Sequence, residues 1–428
     1  MILAVFRVRS FRFQLPADLL TSWAFEMETI ILGWYVMVQT GSVLLLTGFA
    51  SLQFLGTLAA PMFGVLGDRL GGRVMLCAMR AMYALLAALM MFLALAGMLT
   101  PAWVFALASL SGIVRPNDQV MRNTLIGETI PAIHLMSALG LSRAIMDSAR
   151  VAGALAGAGL STALGIGPTY AFVTILYLAS LALTFEVSRR RPVPDPSGKA
   201  LADSSQPASV GMPRPSSWRE LRDGLVHVLT TPVLIAAMWL AFVVNLAAYP
   251  VSSGLLPYVA QRVFLTDATG LGWLVASFSF GGLLASFAMV LTGGPRRPER
   301  STLVYTAMWF ALLLGFGQVR NMGAGLLLLF LAGVVQNVAM ISMSATLLAF
   351  AGERFRGRVM GVRQLAVYGM PLGLMASGAL IERVGYPVTI GVGCGIGLVF
   401  TLLIGMRWRA SMWQTRVAPR APSIPQRV

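Results

Sequence analysis

Apolar residues in this chain gather into twelve stretches with few charges, at 13–39, 43–66, 74–98, 101–124, 137–162, 168–187, 231–256, 269–292, 302–319, 323–350, 363–381 and 384–406. Most are as long as the roughly 20 residues an α-helix needs to cross a hydrocarbon core about 30 Å thick. Lipid offers no water to bond an exposed N–H or C=O, so a stretch of this kind is predicted to be a helix. Between the sixth and seventh stretches lies one long polar segment, Ser188–Arg222, with Arg189, Arg190 and Arg191 ahead of a Pro/Ser/Asp-rich tract. Such a tract cannot bury enough apolar surface to fold, and it reads as a flexible linker. It divides the chain into an N-terminal six-helix bundle at 1–187, the linker at 188–222, and a C-terminal six-helix bundle with a short tail at 223–428.

The two halves echo each other. The fifth stretch carries Gly153-Ala-Leu-Ala-Gly157 and the eleventh carries Gly369-Met-Pro-Leu-Gly373. Small residues four apart let two membrane helices approach closely. Either pattern alone says no more than that a helix packs there. Their matching places in the two halves point to an internal repeat, the layout of many secondary transporters.

Composition then removes the soluble alternatives. At 428 residues the chain could hold two or three soluble domains, but it is 57% hydrophobic and 11% charged, with a mean hydropathy of +0.77. A net charge of +16 and a pI near 11.1 would point to nucleic acid in a soluble protein. The placement of the charge gives another reading. With the N-terminus inside, only Arg262, Arg320 and Arg383 of the 32 Lys+Arg fall in outer loops. The rest lie at the termini, in inner loops or toward inner helix ends. This bias places the linker and both termini in the cytoplasm. Cys77 and Cys394 both lie in apolar stretches, which speaks against a disulfide framework or a cysteine metal site. The first twelve residues lack a small-residue cleavage site, so no cleaved signal peptide is expected. His134 and His227 lack metal-ligand spacing, and no phosphate-binding Gly-x-x-x-x-Gly-Lys-Ser/Thr loop occurs. No metal, cofactor or ATP-driven chemistry is expected.

Between the second and third stretches the chain reads Gly64-Val-Leu-Gly67-Asp68-Arg69-Leu-Gly71-Gly72-Arg73. Glycines allow a tight turn, and the charges can lock or release neighbouring helix ends. The segment resembles the signature loop of the major facilitator superfamily, Gly-x-x-x-Asp-Arg-x-Gly-Arg-Arg, in letters and in position. Gly72 stands where the first of two basic residues is expected, which removes one charge from the latch. Further stretches are similar to the siderophore and macrolide exporters related to the enterobactin exporter. These are Gly33-Trp34 through Gln39-Thr-Gly-Ser42, Arg115-Pro116-Asn117-Asp118-Gln119, Met136-Ser-Ala-Leu-Gly-Leu, Asp147-Ser-Ala-Arg150-Val-Ala-Gly153 and Phe355-Arg356-Gly357-Arg358-Val-Met360. The Gly-Pro pair usual in the fifth helix of family exporters is Gly153-Ala154 here. The resemblance implies a twelve-helix rocker-switch fold and proton-driven export.

A charge at the bilayer centre costs about 2.5–3.5 kcal/mol on insertion scales, so each one is a candidate for function. Glu26 and Glu28 sit mid-way along the first stretch, about 200° apart around a helix, so both cannot enter one cavity. A carboxyl can take up and release a proton as its surroundings alternate between water and the interior. Glu26, Glu28 and Asp147 are therefore the candidate proton or cation sites, against structural pairing with a neighbouring arginine. Asp147 and Arg150, three apart, can also pair with each other. Arg115 could attract an anionic group. Arg115, Arg150, Asn245, Tyr249, Gln336 and Asn337 are the candidate cavity residues, although hydrogen bonds between helices explain the neutral ones as well. Gly64, Asp68, Arg69, Gly71, Arg73, Asp118 and Arg122 form the candidate gate at the inner helix ends.

The expectation is an all-α membrane protein of twelve transmembrane helices in two pseudo-symmetric bundles. Its function would be proton-coupled export of a small amphipathic compound (drug, antibiotic or siderophore) by a monomer in the cytoplasmic membrane. The acids on the first helix suggest a neutral or cationic substrate, whereas the resemblance implies a siderophore, for which Arg115 would matter more. An importer of another metabolite, or a sensor on the same fold, are the alternatives. A membrane-embedded enzyme would need a His, Asp or Lys cluster at one interface, and the sequence has none.

Overall fold

The computed structural model describes residues 8–57, 70–130, 132–187, 225–292, 294–295, 297–409 and 413. The apolar stretches become helices α1 (Arg9–Thr40), α2 (Val43–Leu52), α3 (Gly72–Leu95), α4 (Pro101–Thr129), α5 (Ala132–Leu164) and α6 (Ile166–Phe185) in the first half. In the second half they become α7 (from Pro232), α8 (Ala268–Thr292), α9 (Pro298–Gln318), α10 (Met322–Leu365), α11 (Gly369–Val384) and α12 (Tyr386–Arg407). Among the described residues, eight of these are long and apolar enough to cross a membrane on length and composition alone. Helices α1, α4 and α5 carry charges within their spans, and α2 is described only over its first part. The expected linker at 188–222 lies outside the described residues.

Lipid is as apolar as leucine, so helices here hold together by close packing. The glycine pairs show where. A Cβ on Gly153 would stand 2.8 Å from the Glu26 Cβ, and one on Gly157 would stand 2.8 Å from the Met27 Cα. Helix α5 thus lies directly on α1. In the second half, a Cβ on Gly369 would meet the Phe242 carbonyl at 2.9 Å, and Gly373 touches Leu246. Helix α11 lies on α7 in the same way. A second correspondence was not read from the sequence: Gly56 and Gly112 join α2 to α4, as Gly281 and Gly333 join α8 to α10. The same helix pairs, six helices apart, use the same device. That is the internal repeat in physical form.

Three boundaries differ from expectation. Helix α1 starts at Arg9, four residues early. Helix α7 is α-helical over Pro232–Val243, then continues through wider π-helical turns at Val244–Ala248, Pro250–Gly254 and Val259–Val263. Its i→i+5 bonds are visible at Leu255 N–H to Pro250 O and Phe264 N–H to Val259 O, both 2.9 Å. Pro250 has no N–H to complete an ordinary turn, and π turns of this kind are frequent at functional sites. Arg262, expected in an outer loop, therefore sits on the last turn of α7. Helix α10 breaks at Gly352, close to its expected end at 350, where φ 70° and ψ 159° are not helical but are open to glycine. A new helix follows, so the eleventh span starts before its expected 363. At the start of α1 and in the helix that follows Gly352, arginines flank the apolar run without ending the helix.

Helices α1, α2 and α5 face α7, α8 and α11 across the junction of the halves. On the side opposite the linker this junction is tight. Ser42 Oγ donates to Glu382 Oε1 at 3.0 Å, Thr269 Oγ1 to Thr162 Oγ1 at 3.4 Å, and a Cβ on Gly33 would meet Pro257 at 3.2 Å. Nearer the middle, the halves separate.

Candidate functional site

That separation is a cavity of about 480 Å³ walled by both halves. From the first half, α1 supplies Phe25, Glu26, Thr29 and Ile30, α4 supplies Arg115 and Pro116, and α5 supplies Arg150. Gln53 and Phe54 project from the end of α2. The π turns of α7 aim Asn245, Tyr249, Ser252 and Ser253 inward, and they are joined by Gln336 from α10 and by Gln364 from the helix that follows the Gly352 break. A further space of about 100 Å³ shares Phe25, Glu26, Arg115 and Arg150 and continues toward the linker side past Asp118, Gln119 and Arg122.

The two acids of α1 part company, as their 200° separation requires. Glu26 enters the central cavity and meets Arg150, Oε1 to Nε at 3.4 Å. Glu28 lines a separate pocket of about 20 Å³ inside the first half, with Thr29, Gln53, Ser111 and Arg115. That volume holds about one water molecule. Tyr177 Oη donates to Glu28 Oε2 at 3.1 Å. Tyr177 in turn belongs to an aromatic cluster with Phe25 and Tyr83, at centroid distances of 5.8 and 5.6 Å. Arg115 stands between the two spaces. It donates to Gln53 Oε1 at 2.8 Å, to the Phe25 carbonyl at 2.6 Å and to Thr29 Oγ1 at 3.0 Å. Its guanidinium also lies 4.4 Å from the centre of the Phe25 ring.

Arg150 was expected to pair with Asp147, its neighbour on α5. In the structure its Nε meets Glu26, because the glycine crossing at 153 and 157 presses α1 against that face of α5, and the charge of Asp147 acts on it as well. Asp147 is buried where α5, α8 and α10 meet, with Ser286 Oγ at 3.5 Å; Ser286 also reaches Asn337 Oδ1 at 3.2 Å. Asp147 and Asn337 thus lie behind the cavity wall. Gln336 does face the cavity and donates to Tyr249 Oη at 2.9 Å, while Asn245 donates back to the Ala241 carbonyl at 2.8 Å.

Of the candidate gate, Gly64, Asp68 and Arg69 lie outside the described residues. Gly71 has a φ of 86° at the start of α3, and Arg73 donates to the Phe185 carbonyl at the end of α6. Asp118 and Arg122 pair with each other and join a buried network that sequence reasoning missed. Asp18 pairs with Arg80, and Arg122 Nε lies 3.7 Å from the same carboxylate. Arg122 also donates to Ser22 Oγ at 2.8 Å, and Gln14 to the Arg122 carbonyl at 3.1 Å. The network ties α1, α3 and α4 together. Its signal was present in the sequence, since Asp18 and Arg80 are charges inside predicted spans.

The sequence pattern of the Major Facilitator Superfamily matches residues 17–366. Among solved structures, the chain is similar to the nucleoside transporter NupG, with 14% identity, a TM-score of 0.67, and 93% of this chain and 99% of that chain covered. It is similar to a bacterial homologue of the human lysosomal transporter Spinster in an inward-facing, unoccupied conformation, with 15% identity, a TM-score of 0.68, and coverage of 95% and 99%. It is also similar to the peptide transporter POT, with 12% identity, a TM-score of 0.68, and coverage of 94% and 95%. At such identities the likeness is one of fold. No curated protein matches the chain in sequence.

Proposed function

Because the chain belongs to the Major Facilitator Superfamily, we propose that it is a proton-coupled secondary transporter that exports a small amphipathic compound by alternating access. The observation that carries this reading is the cavity between the halves, walled by aromatic and apolar side chains together with at least as many polar and charged ones. Concave sites of this size and mixture suit small organic ligands. Proton coupling rests on Glu28, a carboxyl set apart from the substrate space, with room for about one water and a donor in Tyr177. Export, of a drug, antibiotic or siderophore, rests on the stretches around Gly33–Ser42, Arg115–Gln119 and Phe355–Met360 that resemble siderophore and macrolide exporters. The protein would act as a monomer in the cytoplasmic membrane, with the linker and both termini inside, given the one-sided basic residues.

Everted membrane vesicles test the reading with a panel of amphipathic dyes, anionic, neutral and cationic. At least one dye is expected to accumulate in response to a pH gradient. Glu28→Gln should abolish that accumulation and leave dye-for-dye exchange intact, because only the coupled step needs the proton site. Wild-type vesicles that accumulate no dye, or Glu28→Gln vesicles that accumulate it as well as wild type, would refute the proposal.

A further inference from the structure

Charge in the central cavity is unbalanced. Its charged lining residues among those described are Glu26, Arg115 and Arg150, and the second half contributes neutral groups alone. Two guanidiniums and one carboxylate therefore line the space itself, while Glu28 beside Arg115 and Asp147 near Arg150 act on them from behind the wall. The two guanidiniums are not equivalent. Both terminal nitrogens of Arg115 are engaged by Gln53, Thr29 and the Phe25 carbonyl. Arg150 makes one contact, from Nε to Glu26 at 3.4 Å, and its side chain is 48% exposed. That contact is longer than the ~2.7–2.9 Å of a good charge-assisted bond. A guanidinium can offer a carboxylate two parallel N–H groups, and Glu26 does not use this geometry.

We propose that the cavity binds an amphipathic organic acid whose carboxylate seats on Arg150 in place of Glu26. Glu26 then serves as a stand-in for the substrate, holding the arginine while the site is empty. Phe25, Ile30, Phe54, Val275 and Phe278 give the apolar body of the acid a surface to lie on. A cationic substrate would have to draw Glu26 away from Arg150 and so separate a charge pair in a low dielectric, which is unfavourable. The acids of α1 taken alone suggest a neutral or cationic substrate; the loose hold of Glu26 on Arg150 is what favours an acid. The inference rests on the transporter reading above and holds for either direction of travel.

The experiment uses the purified full-length chain in detergent and three probes of one shape: 1-naphthaleneacetate, its neutral amide, and 1-naphthylethylamine. Equilibrium dialysis gives the affinity of each. The acid is expected to bind more tightly than the other two. Arg150→Gln should weaken the acid by at least about tenfold, the worth of one charge-assisted hydrogen bond, while amide affinity stays unchanged and so reports an intact cavity. Arg150→Lys keeps the charge without the paired N–H groups and should fall between. Glu26→Gln should tighten acid binding, since it removes the competitor. Amine binding as tight as acid binding, or acid affinity unmoved in Arg150→Gln, would overturn the acid assignment and leave the transporter reading standing. Saturable binding of none of the three by wild type would overturn both.

Discussion

Asp18 shows what a single carboxylate does in the interior of this molecule. It lies buried between Arg80 of α3 and Arg122 of α4, and the second of these is shared with Asp118. Removing one partner of a buried pair strands the other charge, which typically costs about 3–5 kcal/mol, whereas replacing both by apolar groups is often neutral. Asp18→Leu should therefore lower the melting temperature in detergent sharply, and Asp18→Leu with Arg80→Met should recover much of the loss. Equal melting of the single and double variants would show that the carboxylate packs without holding the cations. Both residues stand in the sequence as charges within apolar stretches, so their oddity was legible. Their partnership was not, because spacing relates residues on one helix and these lie on two. The same limit explains Arg150: a neighbour three residues away was visible, and Glu26, 124 residues away, was not.

At the scale of helices, the sequence displays the small-residue faces but not what lies on them. Gly153 and Gly157 turned out to define how deeply α1 beds into α5, and so the distance from Glu26 to Arg150. A methyl group at Gly157 has no room, since Met27 backbone atoms lie 2.8 and 3.1 Å from where it would stand. Gly157→Ala should thus destabilise by about 1–3 kcal/mol, the usual cost of overpacking. Gly159→Ala is the matched control, because nothing lies within 4 Å of its added carbon. Thermal melting of the two variants side by side checks this, and a Gly159→Ala as unstable as Gly157→Ala would dismiss the packing account. Helix ends were less legible than helix existence. Hydropathy reports where lipid stops, while α7 and the helix that follows Gly352 reach beyond their apolar runs, and nothing in a window average distinguishes π turns from α turns around Pro250.

For the whole molecule, the proposed transport requires the two repeated halves to rock about their shared junction. Alternating access needs two arrangements of similar energy, one with the far side shut and the other with it parted. The arrangement seen here has the far side shut, by Ser42 with Glu382 and by Thr162 with Thr269, while the central space extends toward the linker side past Asp118 and Arg122. None of these far-side contacts is strong, since exposed polar pairs contribute on the order of 1 kcal/mol or less. Weak seals suit a junction that opens in the proposed cycle. A covalent seal should then stop the cycle without harming the site. With Cys77 and Cys394 replaced by Ala, the pair Thr162→Cys and Thr269→Cys can be cross-linked by mild oxidation. Transport in vesicles should fall in proportion to the fraction cross-linked and return on reduction, while probe binding to the detergent-solubilised protein persists. Full cross-linking with undiminished transport would mean that α5 and α8 stay together throughout, and that the halves part along some other line.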